Sequence, residues 1–140
     1  MPFPFATIMQ ISTVGDRELD AFIAAVEQQS LYTQPSDLKI VYTPLHGTGN
    51  VPVRRVLRNM HVSVVKSQEL PDGNFSTVRS PNPEEKDALT LAIAQAKAEG
   101  ADLVLGTDQT VTVWALRCVT ATIMCCLPAI RPARCWCSLY

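Results

Sequence analysis

Cysteine and tryptophan are absent from the first 108 residues, although the 140-residue chain contains five cysteines and two tryptophans. That part of the chain therefore offers neither a disulfide nor a cysteine-ligated metal. The sequence also lacks an apolar run near the roughly 20 residues that a membrane helix needs. The opening Met-Pro-Phe-Pro-Phe lacks the basic start and the cleavage site of a signal peptide. We therefore expect a cytoplasmic protein with no membrane partner.

An excess of positive charge is missing as well. The chain has 12 lysines and arginines against 13 aspartates and glutamates, a formal net charge of -1. Nucleic acids and anionic membranes attract clustered basic side chains, so these scattered charges argue against both partners. A content of 47% hydrophobic and 18% charged residues is typical of a globular chain. Its length allows one ordinary domain.

All the cysteines lie after residue 108, at Cys118, Cys125, Cys126, Cys135 and Cys137. The last four read Cys-Cys, eight residues, Cys-x-Cys, and no pair has the C-x2-C spacing of a zinc site. The two histidines, at positions 46 and 61, are distant in sequence. The odd number of cysteines and the absence of a secretion signal argue against a disulfide framework. We therefore predict neither a zinc site nor disulfides.

Hydrophobic periodicity predicts helices alternating with strands. Apolar residues at 19, 22, 23 and 26 predict a helix from an Asp16 cap to about residue 29. Short β-rich runs at 38–42, 62–65 and 102–105 predict three strands. The helices between them start near Pro52, extending to Met60, and near Pro83, extending to Gly100. This order predicts an α/β fold: a partial three-layer α/β/α domain with a mainly parallel sheet, preceded by a linker and helix and followed by an irregular tail.

Two loops carry the candidate functional residues. His46, Gly47 and Gly49 follow the first predicted strand, and glycine amides at such a helix start can bind a phosphate. The spacing matches no established phosphate motif, so a tight turn is the alternative. Asp108 follows the third strand, where a carboxylate requires a polar partner or a metal. His61 precedes a strand and is interpreted as structural or solvated rather than as a ligand.

Four segments in one order carry a family resemblance. They are LKIVYTPLHGTG at 38–49, PDGNF at 71–75, PNPE at 81–84 and ADLVLGTD at 101–108. Together they resemble the second domain of the α-D-phosphohexomutases, and above all the bacterial phosphoglucomutase/phosphomannomutase enzymes. The resemblance covers about residues 1–108.

The resemblance implies phosphoryl transfer on a hexose phosphate, in which a phosphoserine donates to the sugar and a bisphosphate intermediate reorients. In the family the last motif continues D-P-D-x-D-R, and its three aspartates hold Mg2+ beside a phosphoserine from the first domain. Asp108 matches the first aspartate only. We therefore expect an incomplete metal site that does not bind Mg2+. We also expect His46, Gly47 and Gly49 to form a loop that faces the active site.

The phosphoserine loop of the family, of the type T-A-S-H-N-P, is absent from this sequence. The resemblance therefore implies that this chain holds no catalytic residue and is inactive alone. It further implies that hexose phosphate and the missing mutase domains are partners of the intact enzyme.

The residues after Asp108 fit a changed reading frame. Here Gln-Thr-Val-Thr-Val at 109–113 replaces P-D-x-D-R. Its codons, read from one base earlier, permit CCA-GAC-NGT-GAC-CGT, which encodes P-D-x-D-R. At five later pairs of adjacent residues, the codons allow only one residue in the shifted frame. These residues are Gly, Val, Leu, Leu and Val, and each falls where the family pattern expects it. These pairs are Trp114-Ala115, Met124-Cys125, Cys125-Cys126, Cys135-Trp136 and Trp136-Cys137.

We therefore hypothesise that one base is missing after codon 108. The chain then comprises a lead-in and helix at 1–36, a partial phosphohexomutase domain at 37–108 and an out-of-frame tail at 109–140. One alternative is a genuine, divergent tail that forms a strand from Thr110 to Leu116 and a helix. Another is a stand-alone module that binds an anion through the His46 loop or a protein through its apolar tail.

Overall fold

The computed structural model describes residues 15–31, 34–119 and the backbone of 124–125. The chain divides into two units, Met1–Tyr32 and Thr33–Tyr140. The first contains helix α1, Asp16–Glu27. The expectation that Asp16 caps this helix is wrong, because the N-cap is Gly15, whose amide donates to Glu18 Oε2 at 3.1 Å. Asp16 is instead the first helical residue, and its negative charge there interacts favourably with the positive end of the helix dipole.

The second unit is built on one mixed sheet. Its strands are β1 (Lys39–Thr43), β2 (His61–Val64), β3 (Leu103–Thr107), β4 (Trp114–Cys118) and β5 (Met124–Cys125). The order across the sheet is β2-β1-β3-β4-β5. β1 is parallel to β2 and β3, whereas β3, β4 and β5 pair antiparallel. The predicted α/β class and the three parallel strands are therefore confirmed.

The expectation of an irregular tail is wrong for 114–118. β4 pairs with the whole of β3, from Leu103 opposite Cys118 to Thr107 opposite Trp114. This pairing satisfies backbone groups that β3 would otherwise expose along an open edge. The divergent-tail alternative predicts a strand that starts at Thr110, but β4 starts at Trp114 because residues 109–113 form a turn. The helix of that alternative lies outside the described residues.

Two further helices connect the parallel strands, α2 at Asn50–Val56 and α3 at Thr90–Glu99. α2 ends before the expected Met60, because the chain turns at 57–59 to enter β2. α3 begins later than Pro83, since Pro83 and Leu89 first pack over Gly106 of β3. A Cβ on Gly106 would lie 2.6 Å from Leu89 Cδ2. Gly100 ends α3 in the left-handed conformation, as predicted, with φ +63°.

The core lies between α3 and the central strands. Val41 and Val104 are fully buried against Ala92 and Ala96, whose small side chains let α3 approach the sheet closely. The strand order β2-β1-β3 means that the connection from β2 to β3 through α3 passes over β1. In such a sheet, right-handed crossovers put the helices of the two connections on opposite faces. This gives the three layers that the sequence predicts. In the described part of the chain, no helix combines the length and apolarity required to cross a bilayer.

Candidate functional site at the carboxyl edge

The loops after β1 and β3 lie side by side because parallel strands end at the same edge. We call residues 44–49 the first loop and residues 108–113 the second loop. The Thr48 amide donates to the Gln109 carbonyl at 2.9 Å, and the Thr48 hydroxyl donates to it at 3.0 Å. Open α/β sheets keep their ligand sites at this edge, next to a reversal of strand order. The structure therefore brings the two predicted loops together.

Two glycines permit this close approach. A Cβ on Gly47 would lie 2.5 Å from Gln109 Cα and 2.9 Å from the Asp108 carbonyl oxygen. A Cβ on Gly49 would lie 2.6 Å from the Tyr42 hydroxyl oxygen. Real Cβ atoms do not approach so closely, so any larger residue would push the loops apart.

Three amides of the first loop donate to carbonyls within the protein. The amide of His46 donates to the Gln68 carbonyl at 3.0 Å, and that of Gly47 donates to the Pro44 carbonyl at 2.8 Å. The Thr48 amide is likewise engaged, by Gln109. Amides that donate to protein carbonyls are unavailable to an anion. The hydrogen bonds of these three amides are those of a tight turn.

His46 is buried, with 7% of its surface exposed, and its partners show that Nδ1 carries a hydrogen. Nδ1 lies 2.9 Å from the Leu70 carbonyl oxygen, which can only accept, so Nδ1 carries the hydrogen. In the neutral ring Nε2 then accepts from the Thr77 hydroxyl at 2.7 Å. Thr77 in turn accepts from Gln68 Nε2 at 3.2 Å. Gln68 Oε1 accepts from the Thr43 hydroxyl at 2.7 Å, which completes a directional chain of hydrogen bonds.

Sequence reasoning missed two members of this chain, Gln68 and Thr77. Gln68 is fully buried beside β1, at the end of a 3-10 turn over Lys66–Gln68. Both are single polar residues in a segment without periodicity, so the sequence carries no signal for them. Leu45 and His46 are also left-handed, with φ +47° and +63°. Such backbone is uncommon for residues other than glycine, and no pattern predicts it here.

The PDGNF segment forms a turn that is held by Asp72. The Asp72 carboxylate accepts from the side chain and amide of Ser76 and from the Asn74 amide. These hydrogen bonds, led by that of the Ser76 hydroxyl, lower the pKa of Asp72 to about 2. Phe75, three residues after Asp72, packs edge to face against the His46 ring, and the two ring centroids are 6.3 Å apart.

Tyr42 and Thr107 support the two loops from below. The Tyr42 hydroxyl lies 2.9 Å from Thr107 Oγ1, and both residues are buried. Burial raises the pKa of Tyr42 to about 12, although the hydrogen bond with Thr107 acts in the opposite direction. Tyr42 is therefore a neutral structural support at physiological pH.

Asp108 is held by its own loop. Its Oδ1 accepts from the amides of Thr112 and Val113, at 2.8 and 3.0 Å. Its Oδ2 accepts from the hydroxyls of Thr110 and Thr112, at 3.0 and 2.9 Å. Burial acts to raise the pKa of Asp108, but these hydrogen bonds outweigh it and leave the pKa below the ordinary value. The polar partner that the sequence requires is therefore the loop itself.

The residues around Asp108 do not fit Mg2+. Magnesium prefers six oxygen ligands in near-octahedral order and usually binds through one or two carboxylates. Both oxygens of Asp108 already accept two hydrogen bonds each. No group of three histidine, cysteine or acidic side chains suited to a metal occurs among the residues that the structure describes.

His61 lies apart from these loops. It is the exposed first residue of β2, at the opposite edge of the sheet from His46 and Asp108. There it lines an open groove of about 460 Å³ together with Lys39, Ser63 and Glu99. The structure therefore does not bring His61 together with the other candidate residues.

Known proteins resemble this fold and sequence. A family model described as phosphoglucomutase/phosphomannomutase, alpha/beta/alpha domain II, matches residues 20–110. A phosphoglucomutase of Staphylococcus haemolyticus is 50% identical over 76 residues, which are 52% of this chain and 14% of that protein. A protein of Haemophilus influenzae named "Probable phosphomannomutase" is 39% identical over 99 residues, which are 68% of this chain and 20% of that protein.

A solved structure has the same fold. A phosphoglucomutase/phosphomannomutase family protein from Burkholderia thailandensis superimposes with a TM-score of 0.62 at 18% identity. The match covers 72% of this chain and 21% of that one. The fold and the family model together define an α/β/α domain of the mutase type. The chain belongs to the phosphoglucomutase/phosphomannomutase family, through its second domain, and its matches span about a fifth or less of those relatives.

Proposed function

We propose that this chain is a fragment of a phosphohexomutase and is inactive alone. In the intact enzyme the reaction interconverts hexose 1-phosphate and hexose 6-phosphate through a phosphoserine and Mg2+. Phosphoryl transfer relies on positioned groups and on charge stabilisation by a metal ion. The loss of metal ligands should therefore greatly reduce the rate of the reaction. The proposal includes a cytoplasmic location, with the remaining mutase domains and a hexose phosphate as partners of the intact enzyme.

One observation carries this proposal. The side chains at positions 108, 110 and 112 meet in one cluster, with oxygen-to-oxygen distances of 2.9 to 3.0 Å. These are the positions at which the D-P-D-x-D-R motif of the family has its aspartates. Only Asp108 is acidic here, and Thr110 and Thr112 occupy the other two. The loop thus has the convergence that a three-carboxylate site needs without its charge.

A missing base after codon 108 belongs to the same proposal. The family match at 20–110 ends two residues beyond Asp108, which supports a loss of the family sequence at that point. β4 is compatible with either frame, because Ala115 is buried opposite Gly106 and the restored frame requires glycine there. Both residues are small enough for that position.

Activity and origin are tested separately. For activity, the purified chain is assayed for glucose 1-phosphate turnover in a coupled assay with MgCl2, beside a full-length mutase as the positive control. We expect no turnover by the chain, and turnover above background would refute its inactivity. For origin, the template is resequenced across codon 108 in independent reads. An intact frame that encodes Gln109 would refute the frameshift.

A further inference from the structure

The second loop contains a closed cluster of three oxygens. Asp108 Oδ2, Thr110 Oγ1 and Thr112 Oγ1 lie 2.9 to 3.0 Å from one another. Oxygens at this separation repel unless a hydrogen or a cation lies between them. The two hydroxyl hydrogens lie in the two contacts with Asp108 Oδ2, which carries the charge, and the third contact joins the two uncharged hydroxyl oxygens. The whole cluster carries a single negative charge.

The other carboxylate oxygen is satisfied in the same way. Asp108 Oδ1 accepts the amides of Thr112 and Val113, and the Asp108 amide donates to the Val113 carbonyl at 3.0 Å. The carboxylate therefore spans the loop from its first residue to its last. Four donors surround it, all of them from within the next five residues.

We infer that the second loop closes without a divalent cation, because the hydroxyls of Thr110 and Thr112 take the place that a cation would occupy. The inference rests on the hydrogen bonds of the loop and not on sugar phosphate chemistry. It has a direct corollary. Aspartates at 110 and 112 would remove both hydrogens and bring three negative charges together, so the same backbone would then require a cation.

The full-length chain tests the first half of the inference by calorimetry and NMR with MgCl2 alone. We expect no saturable heat, an unchanged Tm on adding MgCl2 or EDTA, and no Mg2+-dependent shift of the Thr112 and Val113 amides. Thr110→Val with Thr112→Val removes the hydroxyls at nearly constant volume and should lower the Tm by roughly 4 °C. Saturable Mg2+ binding by the wild-type chain, or an unchanged Tm in this double variant, would overturn the inference.

The corollary is tested with Thr110→Asp and Thr112→Asp together. We expect this double variant to have a lower Tm than the wild type, to bind Mg2+ with saturable heat, and to recover Tm in millimolar MgCl2. Thr110→Asn with Thr112→Asn is the matched control, since asparagine has the same shape without the charge and should not respond to Mg2+. Equal Mg2+ responses of the Asp and Asn variants would contradict the convergence of the three side chains.

If the Asp variant does not fold, the wild type and the Val variant still decide the inference. The outcome is also distinct from that of the proposed function. Turnover by the chain would refute inactivity without bearing on loop closure. Mg2+ binding by the wild type would refute closure by hydroxyls and leave the sequencing across codon 108 unaffected.

Discussion

The loops after β1 and β3 are neighbours, yet different interactions stabilise them. The first loop is buried except at Thr48, and its backbone amides donate to the Gln68 and Gln109 carbonyls and to the Pro44 carbonyl of the loop itself. The second loop is more exposed and is organised by one carboxylate that accepts four hydrogen bonds from its own residues. The first loop therefore depends on the space that its glycines leave, and the second depends on a charge.

This difference explains why the two loops respond to different substitutions. Added volume in the first loop meets backbone atoms that cannot move independently. A change of charge or pH in the second loop alters donors and acceptors at its surface.

Gly47→Ala has the largest expected effect. Its Cβ would lie 2.5 Å from Gln109 Cα and 2.8 Å from the Pro44 carbonyl oxygen, both backbone atoms. We expect a loss of roughly 3 kcal/mol or more in the free energy of unfolding, measured by urea titration. Gly73→Ala is the matched control, because nothing lies within 4 Å of its Cβ position. Similar losses in the two variants would contradict the steric basis of loop contact.

Thr77→Val is expected to rank second. Valine keeps the shape of threonine but leaves His46 Nε2 without its donor and Gln68 Nε2 without its acceptor. A buried polar group without a partner costs about 1–3 kcal/mol, so we expect a loss in this range by the same titration. Thr77→Ser retains the hydroxyl and should lose less. In the wild type, NMR of the His46 ring should show a hydrogen on Nδ1; its absence from Nδ1 would contradict the assigned hydrogen bonds.

The sequence predicts the fold better than it predicts the site, for a physical reason. Strands and helices follow from periodic burial, and Gly47, Gly49 and Asp108 are recognisable because turns and strand ends favour such residues. The partners of His46 come from a distant, aperiodic segment around Gln68 and Thr77. Their role depends on tertiary packing, which local sequence does not encode.

The start of α3 and the strand β4 illustrate the same limit. Proline near residue 83 favours a helix start, but packing over Gly106 delays the helix to Thr90. β4 forms in a tail whose composition differs from the rest of the chain. It forms because the backbone of β3 offers hydrogen bonds to a neighbouring extended segment. The contact partner, rather than local preference, determines both elements.

Val111→Gly is expected to stabilise the chain. Val111 has φ +60°, a conformation that is costly for a β-branched residue. Glycine adopts it freely but loses more entropy on folding, so we expect a net gain of about 0.5–1 kcal/mol in the free energy of unfolding. Val111→Ala keeps a Cβ and should gain less; a destabilised glycine variant would contradict strain at this position.

Acid should produce the smallest effect and should act on the two loops unequally. The pKa of Asp108 is below its ordinary value of 3.8 in the folded chain. Its contribution to stability is therefore fully present above about pH 4 and is lost as pH falls through the folded pKa. We expect hydrogen exchange at the Thr112 and Val113 amides, corrected for its intrinsic pH dependence, to lose protection there. The Gly47 amide, which donates to a carbonyl, should lose less.

Asp108→Asn provides the control for this acid effect, because its amide group does not titrate. The variant should show the same protection at Thr112 and Val113 on both sides of pH 4. The Asp72 turn adds a second acid-sensitive point, since its hydrogen bonds are lost as pH falls through its pKa of about 2. A carboxyl 13C titration separates the two aspartates. If Gly47 and Val113 lost protection together, and did so equally in Asp108→Asn, the two loops would open as one unit and their distinct modes of support would be refuted.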